Sequence, residues 1–554
     1  DLPRCRLFID QFYQHLLANN AEEQLRSIEH DIATPEDLEQ FDKLLGQAGD
    51  SAEKKCKRRR PEYYSITLHQ LRIKRSIVKC HYNNIKQRRI GQSEILQQRL
   101  CRANINLVLP LGEVKTKELL TSITTELHSA SERSFEIREN ELKEKINKKH
   151  EPGTETYVHR LRAIKKNEAT RRAWQTLRFL KTGMNAQQSL NRIDIPETWP
   201  APQDQLDSHE IQDPKTCTTW RSITNPDEID HYIRMRNRGH FGQAQGTPFT
   251  EIPLTNEINW AADTITAQDI LLGHSQIDSI NSIPQCQALL DACRAATELN
   301  ALPAEITCKE FTGKMKSWRE LTTTSPSGRH LGRYNALIPN LDFRDERMGT
   351  TTLLYRQKQQ FIIQSIVAII NYCIRHNYTL HRWKTIINTM IFKEQGNYKI
   401  HRLRVIHIYE ADFNLLLAIK WRQLLHYANL QGIINNGLFG GRPGCEAQSL
   451  VFLEELKYDT SYCSRRTLFN FDNDATSCYD RIIIALASII NRKYGMHQRL
   501  VALHANTLQQ ARFHLRTING ISSESYAHCI EFPIYGSGQG SGNSPAIWLF
   551  ISST

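Results

Sequence analysis

The most constraining stretch of this sequence runs from Thr467 to Ile490. A short apolar segment with Leu468, Phe469 and Phe471 gives way to Asp472, Asp474 and Asp480, and then to the apolar run Ile482–Ile490. That order describes a strand, a polar turn and a helix. Carboxylates at such a junction can project together into a cleft and hold Mg²⁺ through oxygen ligands. The same residues also serve as helix caps, and the stretch alone leaves both uses open. Strand alternation places Asp472 and Asp474 on one face.

A second local feature lies downstream. Gly536, Gly538, Gly540 and Gly542 precede Pro545 and the apolar Ala546–Ile551. Glycines ahead of a helix let backbone approach a ligand closely, and Pro545 suits a first helical turn. Neither the P-loop nor the dinucleotide fingerprint fits, because no Gly-Lys-Ser/Thr follows and no GxGxxG opens a helix after a strand.

Charge is concentrated in one place. Between Lys54 and Arg102 stand 15 Lys or Arg against two acids, Glu62 and Glu94, a local +13 in a chain of +12 overall. The basicity therefore belongs to one segment. Tyr63, Tyr64 and Tyr82 interleave it, so the segment is expected to bind a nucleic-acid backbone through Lys57, Arg58, Arg59, Arg60, Arg72, Lys74, Arg75, Arg88 and Arg89. A solvated helical face is the plain alternative.

Other classes are disfavoured. The 13 cysteines contain no CxxC pair, and the closest two are Cys286 and Cys293. Zinc and a disulfide framework are not expected, and reduced thiols with no signal-like segment suggest an intracellular protein of the nucleus or cytoplasm. The most apolar run, Phe361–Ile374, is interrupted by Gln364, Ser365 and Asn371 and is shorter than the roughly 20 residues of a membrane span. It reads as a buried helix, with no membrane partner.

Residues 1–185 read as a mostly helical, basic N-terminal region, with two long polar helices broken at Glu151-Pro152-Gly153. Pro196, Pro200, Pro202 and Pro214 mark 186–300 as irregular and linking. Helices are expected near 355–375 and 410–430, with strands near 385–393, 403–408 and 467–473. The fold class is α+β.

Taken together and in order, the two C-terminal stretches resemble the reverse transcriptase family. Asp474-Ala475-Thr476-Ser477-Cys478-Tyr479-Asp480 matches its palm motif of Asp, three residues, a small residue, an aromatic and Asp. Gly536, Gln539, Gly540, Ser544 and Pro545 fill every fixed position of its next motif. Upstream, Met390–Lys393 and Leu403–Ile406 resemble the fingers motifs, with Val405 where Pro is usual. Phe439–Gly444 resembles the following stretch, with Leu438 where Gln is common. Ser325–Tyr334 and Lys57–Ser65 resemble segments of non-LTR, LINE-like retrotransposon enzymes. Motif-level resemblance covers roughly residues 320–554.

The resemblance implies a right-hand polymerase, with pre-fingers and fingers over 301–462 and a partial palm over 463–554 built on an antiparallel sheet with helices. It implies RNA-templated DNA synthesis by a nucleotidyltransferase using two Mg²⁺ ions. Asp474 would be the catalytic metal ligand, helped by the backbone carbonyl of Ala475, and Asp480 would support the motif. Lys393 and Arg404 would hold the triphosphate of an incoming deoxynucleotide, Tyr479 would exclude a ribose 2′-hydroxyl, and Gln539 and Gly540 would contact the sugar and base. Partners would be an RNA template, a DNA primer or target and deoxynucleoside triphosphates, with an upstream endonuclease domain in the full-length protein. The family's second metal motif, an Asp pair on a hairpin, is not among the 554 residues, so the chain is expected to be C-terminally truncated and inactive alone. The rival readings are an RNA-binding ribonucleoprotein component descended from such an enzyme, and an RNA-templated RNA polymerase, which Tyr479 disfavours.

Overall fold

A computed structural model of the chain describes residues 2–56, 65–86, 93–109, 112–148, 151–170, 190–202, 213–251, 254–274, 284–318, 325–339, 351–394, 396–442, 444–469, 475, 477–517 and 520–554. The chain divides into two compact units, residues 57–187 and residues 1–56 with 188–554. The described helices are α1 (Leu2–Leu17), α2 (Ala21–Glu29), α3 (Pro35–Lys55), α4 (Ile66–Lys86), α5 (Ser93–Arg102), α6 (Glu113–Glu132), α7 (Ser134–Asn147) and α8 (155–170). They continue with α9 (Pro226–Phe241), α10 (Leu254–Ile258), α11 (Ile265–Leu272), α12 (Pro284–Ala292), α13 (Cys308–Ser317), α14 (Leu331–Asn335), α15 (Thr351–His376), α16 (Ala411–Leu430), α17 (Ala447–Ser464), α18 (Ile484–Lys493), α19 (Gln498–Gln509) and α20 (Ser544–Ser553). The strands are β1 (Ile193–Pro196), β2 (Trp220–Ile223), β3 (Thr385–Phe392), β4 (Leu403–Ile408), β5 (Arg512–Thr517) and β6 (Gly520–Ala527).

The 57–187 unit is helical in its described residues. Glu141 of α7 accepts from the Ile66 and Thr67 amides, at 3.0 and 3.2 Å, and so satisfies donors that the first turn of α4 leaves open. Two small apolar clusters hold the unit, Leu68 and Leu71 with Ala130, and Ile77 with Leu96, Leu100 and Leu109. The expected break at Glu151–Gly153 is present, with Gly153 at φ 96°, and a second break at Arg133 separates α6 from α7.

In the other unit a four-stranded sheet has the order β4-β3-β5-β6. Its β3–β4 and β5–β6 pairs are antiparallel, but β3 and β5 run parallel, so the sheet is mixed where an all-antiparallel one was expected. The helical connection from α16 to α19 makes the difference, because a parallel neighbour needs a long crossover. The core lies between the sheet and α15, α16, α18 and α19, around Trp383, Phe413, Trp421, Tyr494 and Phe550. The fold is α+β. Strands over 385–393 and 403–408 appear as β3 and β4, whereas Thr467, Leu468 and Phe469 form no strand and residues 470–474 lie outside the described set. Helix α17 buries none of its residues.

Two stretches differ from the sequence division. Residues 186–300 contain β1, β2 and α9 to α12, with Tyr232, Ile233, Phe241 and Ile258 buried. Their prolines bound short elements: Pro196 ends β1, and Pro226 and Pro284 open helices. Residues 1–56 belong with 188–554, not with the basic segment. Helix α3 is launched by a capping box, in which Thr34 accepts from Asp37 N and Asp37 accepts from Thr34 N, and it then delivers a buried Asp42. Asp42 accepts from Arg329 Nη1 at 2.7 Å and Arg382 Nε at 2.9 Å. Burial alone would raise the Asp42 carboxyl, but Arg382 and Arg329 outweigh it and hold the group below the usual carboxylate range. Arg382 also reaches Asp412 and Glu410.

Among the described residues no helix is long and apolar enough to cross a membrane, and all thirteen cysteines are free thiols.

Candidate active site

Three segments distant in sequence meet along β4 of the mixed sheet. The first is the β3–β4 hairpin, closed just past the strands by Lys393 N donating to Arg402 O at 3.1 Å. Alternation along β4 buries Leu403, Val405 and His407 and leaves Arg404 exposed, paired in register with Ile391. Lys393 is also exposed. Burial of part of its stem, then the neighbouring Arg236, Arg404 and Arg402, push the Lys393 ammonium below its ordinary range. The hairpin thus carries a clustered positive field that a bound anion would relieve.

The second segment is the 3-10 turn Cys478–Arg481, and the third is the glycine-rich loop that enters α20. Ser537 N donates to Tyr479 O at 3.0 Å, Gly536 N to Ile482 O at 2.8 Å, and His407 N to Gln539 O at 2.7 Å. The Gln539 side chain adds a 3.2 Å bond to Asp480 Oδ2. Turn, loop and hairpin are therefore laced together by backbone. Gly536 (φ 102°) and Gly540 (φ 116°) are left-handed, and a Cβ on Gly536 would stand 2.8 Å from Tyr479 O. A Cβ on Gly540 would collide with His407 O. These glycines serve close approach to the protein's own backbone.

Of the expected site residues, Tyr479, Gln539 and Gly540 meet beside His407, whereas Arg404 and Lys393 stand toward the hairpin turn, with Arg404 opposite Ile391 and His407 opposite Asn388. Tyr479 is half-buried against the core. Asp472 and Asp474 lie outside the described residues, while Ala475 is described and exposed. Arg442 organises its own loop, donating to Asn429 Oδ1 at 2.7 Å. Ser325–Tyr334 forms a turn into α14, and its Arg329 and Arg333 reach α3, where Arg333 pairs with Glu53 and Asp50.

Oxygen ligands suit Mg²⁺. The candidates are Asp474, outside the described residues, and the exposed Ala475 carbonyl. Among the described residues no three His, Cys, Asp or Glu gather as a metal site. Asp480 is committed elsewhere: its side chain is 2% exposed, and its Oδ2 accepts from both Gln539 and His240 Nε2, the latter at 2.9 Å.

His240 belongs to α9, which sequence reasoning did not assign to the site. Arg236 and Asn237 share that buried face. Arg236 Nη2 donates to Leu403 O at 2.9 Å, and burial brings its guanidinium down to about 10. The helix was findable from Asn225-Pro226, its cap and first residue, but nothing in the sequence marks His240 chemically.

Beneath the site, burial pushes His407 down to about 4 and His504 to about 3. Both stay neutral in the fold, while an unfolded chain takes up these protons near pH 6.5. The unfolded state then binds more protons below that pH, so stability is full at pH 7 and falls with acidification towards pH 4. A loss of about 2 kcal/mol per histidine is expected between pH 6.5 and 5. Urea unfolding at pH 7 and pH 5 checks it, and a His504→Leu variant should lose less than the parent.

In the 57–187 unit, Lys57, Arg58, Arg59, Arg60, Arg88 and Arg89 lie outside the described residues. Arg72, Arg75, Lys79 and Asn83 fall on one face of α4 and line, with Leu127 of α6, an open groove. Lys74 lies on another face of α4, and Lys79, absent from the sequence expectation, lines the groove.

No protein-family model matches the chain, and no curated protein matches it.

Proposed function

We propose that residues 301–462 form the pre-fingers and fingers, and 463–554 part of the palm, of an RNA-directed DNA polymerase of retrotransposon type, within the unit that 1–56 and 188–300 complete. One observation supports this above the others. The palm-like turn, the Gln-Gly loop and the Lys-Arg hairpin, recognised separately in the sequence, are bonded to one another through Tyr479, Asp480, Gln539 and His407. Unrelated surface motifs have no reason to share a floor.

On this reading the Lys393 and Arg404 cations meet the triphosphate of the incoming nucleotide. Tyr479 fills the space a 2′-hydroxyl needs, and Gln539 and Gly540 form the wall against sugar and base. Mg²⁺, held by Asp474 and the Ala475 carbonyl, would favour the 3′-alkoxide and neutralise the leaving pyrophosphate. In a complex of the chain with an RNA template and DNA primer, the next complementary deoxynucleotide should slow dissociation and the matching ribonucleotide should not. Equal effects of both, or none, would contradict the proposal.

The nucleic-acid partner extends the reading to the α4 face. Replacing Arg72, Arg75 and Lys79 by Gln together should lower the slope of log affinity against log salt by about 3, since each phosphate contact contributes about 1. Lys74→Gln should change it much less. Salt titrations of RNA binding check this, and equal effects from Lys74 would remove the assignment of the groove.

A further inference from the structure

We propose that His240 is a positioning residue, orienting the Gln539 amide through the Asp480 carboxylate. The inference rests on the polymerase reading, in which Gln539 contacts the incoming nucleotide.

Two donors converge on a single oxygen. His240 Nε2 at 2.9 Å and Gln539 Nε2 at 3.2 Å both reach Asp480 Oδ2, while the buried Oδ1 has no hydrogen-bond partner among the described residues. A carboxylate cut off from water depends on the few donors it has, so rotating it would break both bonds together. His240 is itself fixed. On the preceding turn of α9, Arg236 is bonded to Leu403 O and Asn237 to Tyr526 Oη at 3.1 Å, which seats the helix on β4 and β6. Next to it, Phe241 meets the His407 ring edge-on at 5.4 Å. The amide plane of Gln539 is therefore set from a helix some three hundred residues earlier in the chain. Its backbone is set independently, by His407 N. Removing His240 should loosen the side chain while leaving the loop's backbone in place.

The test uses the full 554-residue chain on an RNA template and DNA primer, with Ca²⁺ replacing Mg²⁺ so that only nucleotide binding is read. The quantity measured is the concentration of complementary deoxynucleotide that half-maximally slows dissociation. His240→Leu should raise it roughly tenfold, a typical coupling between residues of one hydrogen-bond network. His240→Gln, which keeps an N–H directed at Asp480, should stay near the parent. Adding Gln539→Ala to His240→Leu should bring little further loss, and template–primer affinity without nucleotide should be unchanged. Should leucine unfold the chain, His240→Asn, whose amide stops short of Asp480, carries the same expectation. The inference is overturned if His240→Leu binds nucleotide like the parent, if His240→Gln is as weak as His240→Leu, or if the His240 and Gln539 losses multiply independently. A parent chain with no nucleotide dependence instead overturns the polymerase reading, and the inference with it.

Discussion

Asp42→Ala is expected to destabilise the 1–56/188–554 unit by about 3–5 kcal/mol, the usual cost of removing one member of a buried ion pair. The substitution strands the Arg329 guanidinium, whose side chain is only 14% exposed and whose carboxylate partner is Asp42, and leaves Arg382, 12% exposed, to Asp412 and Glu410. Gly46 adds to the tightness, since a Cβ there would lie 2.8 Å from Arg329 Nη2. Asp50→Ala removes a partner of Arg333 that is itself exposed, and should cost less than about 1 kcal/mol. Urea unfolding of the two variants separates these outcomes. Equal midpoints would mean that the first 56 residues are not tied into the fold through Asp42.

Much of this arrangement was legible in the sequence and some was not. The β-branched and apolar runs at Thr385–Phe392 and Leu403–Ile408 announced β3 and β4, and the apolar periodicity of α15 and α16 announced those helices. β5 and β6 were missed because Arg512, His514 and Arg516 alternate with the apolar residues of β5, and β6, an edge strand, is mostly polar and exposed. Of the candidate site, the residues that motif spacing singled out and the fold brings into one neighbourhood are Tyr479, Gln539 and Gly540. His240 and Arg236 of that neighbourhood, and Asp42 of α3 outside it, gave no sequence signal, because local pattern does not encode their long-range contacts. Prolines misled over 186–300 because they bound short elements as readily as they mark irregular chain.

The second large effect is chemical, in a protein that joins these 554 residues to the second carboxylate pair the resemblance implies. Asp474→Ala should lower deoxynucleotide incorporation by about 10³-fold or more while leaving template binding largely intact, because on the polymerase reading proposed above it removes a metal ligand that acts in the transition state. Asp472→Ala should cost less than about tenfold, because the spacing of the motif to Tyr479 selects Asp474. Tyr479→Ala should keep deoxynucleotide incorporation and admit ribonucleotides, since it opens space without touching a carboxylate. If Asp472→Ala is the inactive variant, the register of the motif is wrong by two residues.

The most direct measurement is Mg²⁺-dependent extension of a DNA primer on an RNA template by that same protein, with deoxynucleotides and ribonucleotides supplied in parallel. Template-directed incorporation of deoxynucleotides, lost in Asp474→Ala and extended to ribonucleotides in Tyr479→Ala, is the predicted result. RNA binding with full salt dependence but no extension under any metal would contradict the polymerase assignment.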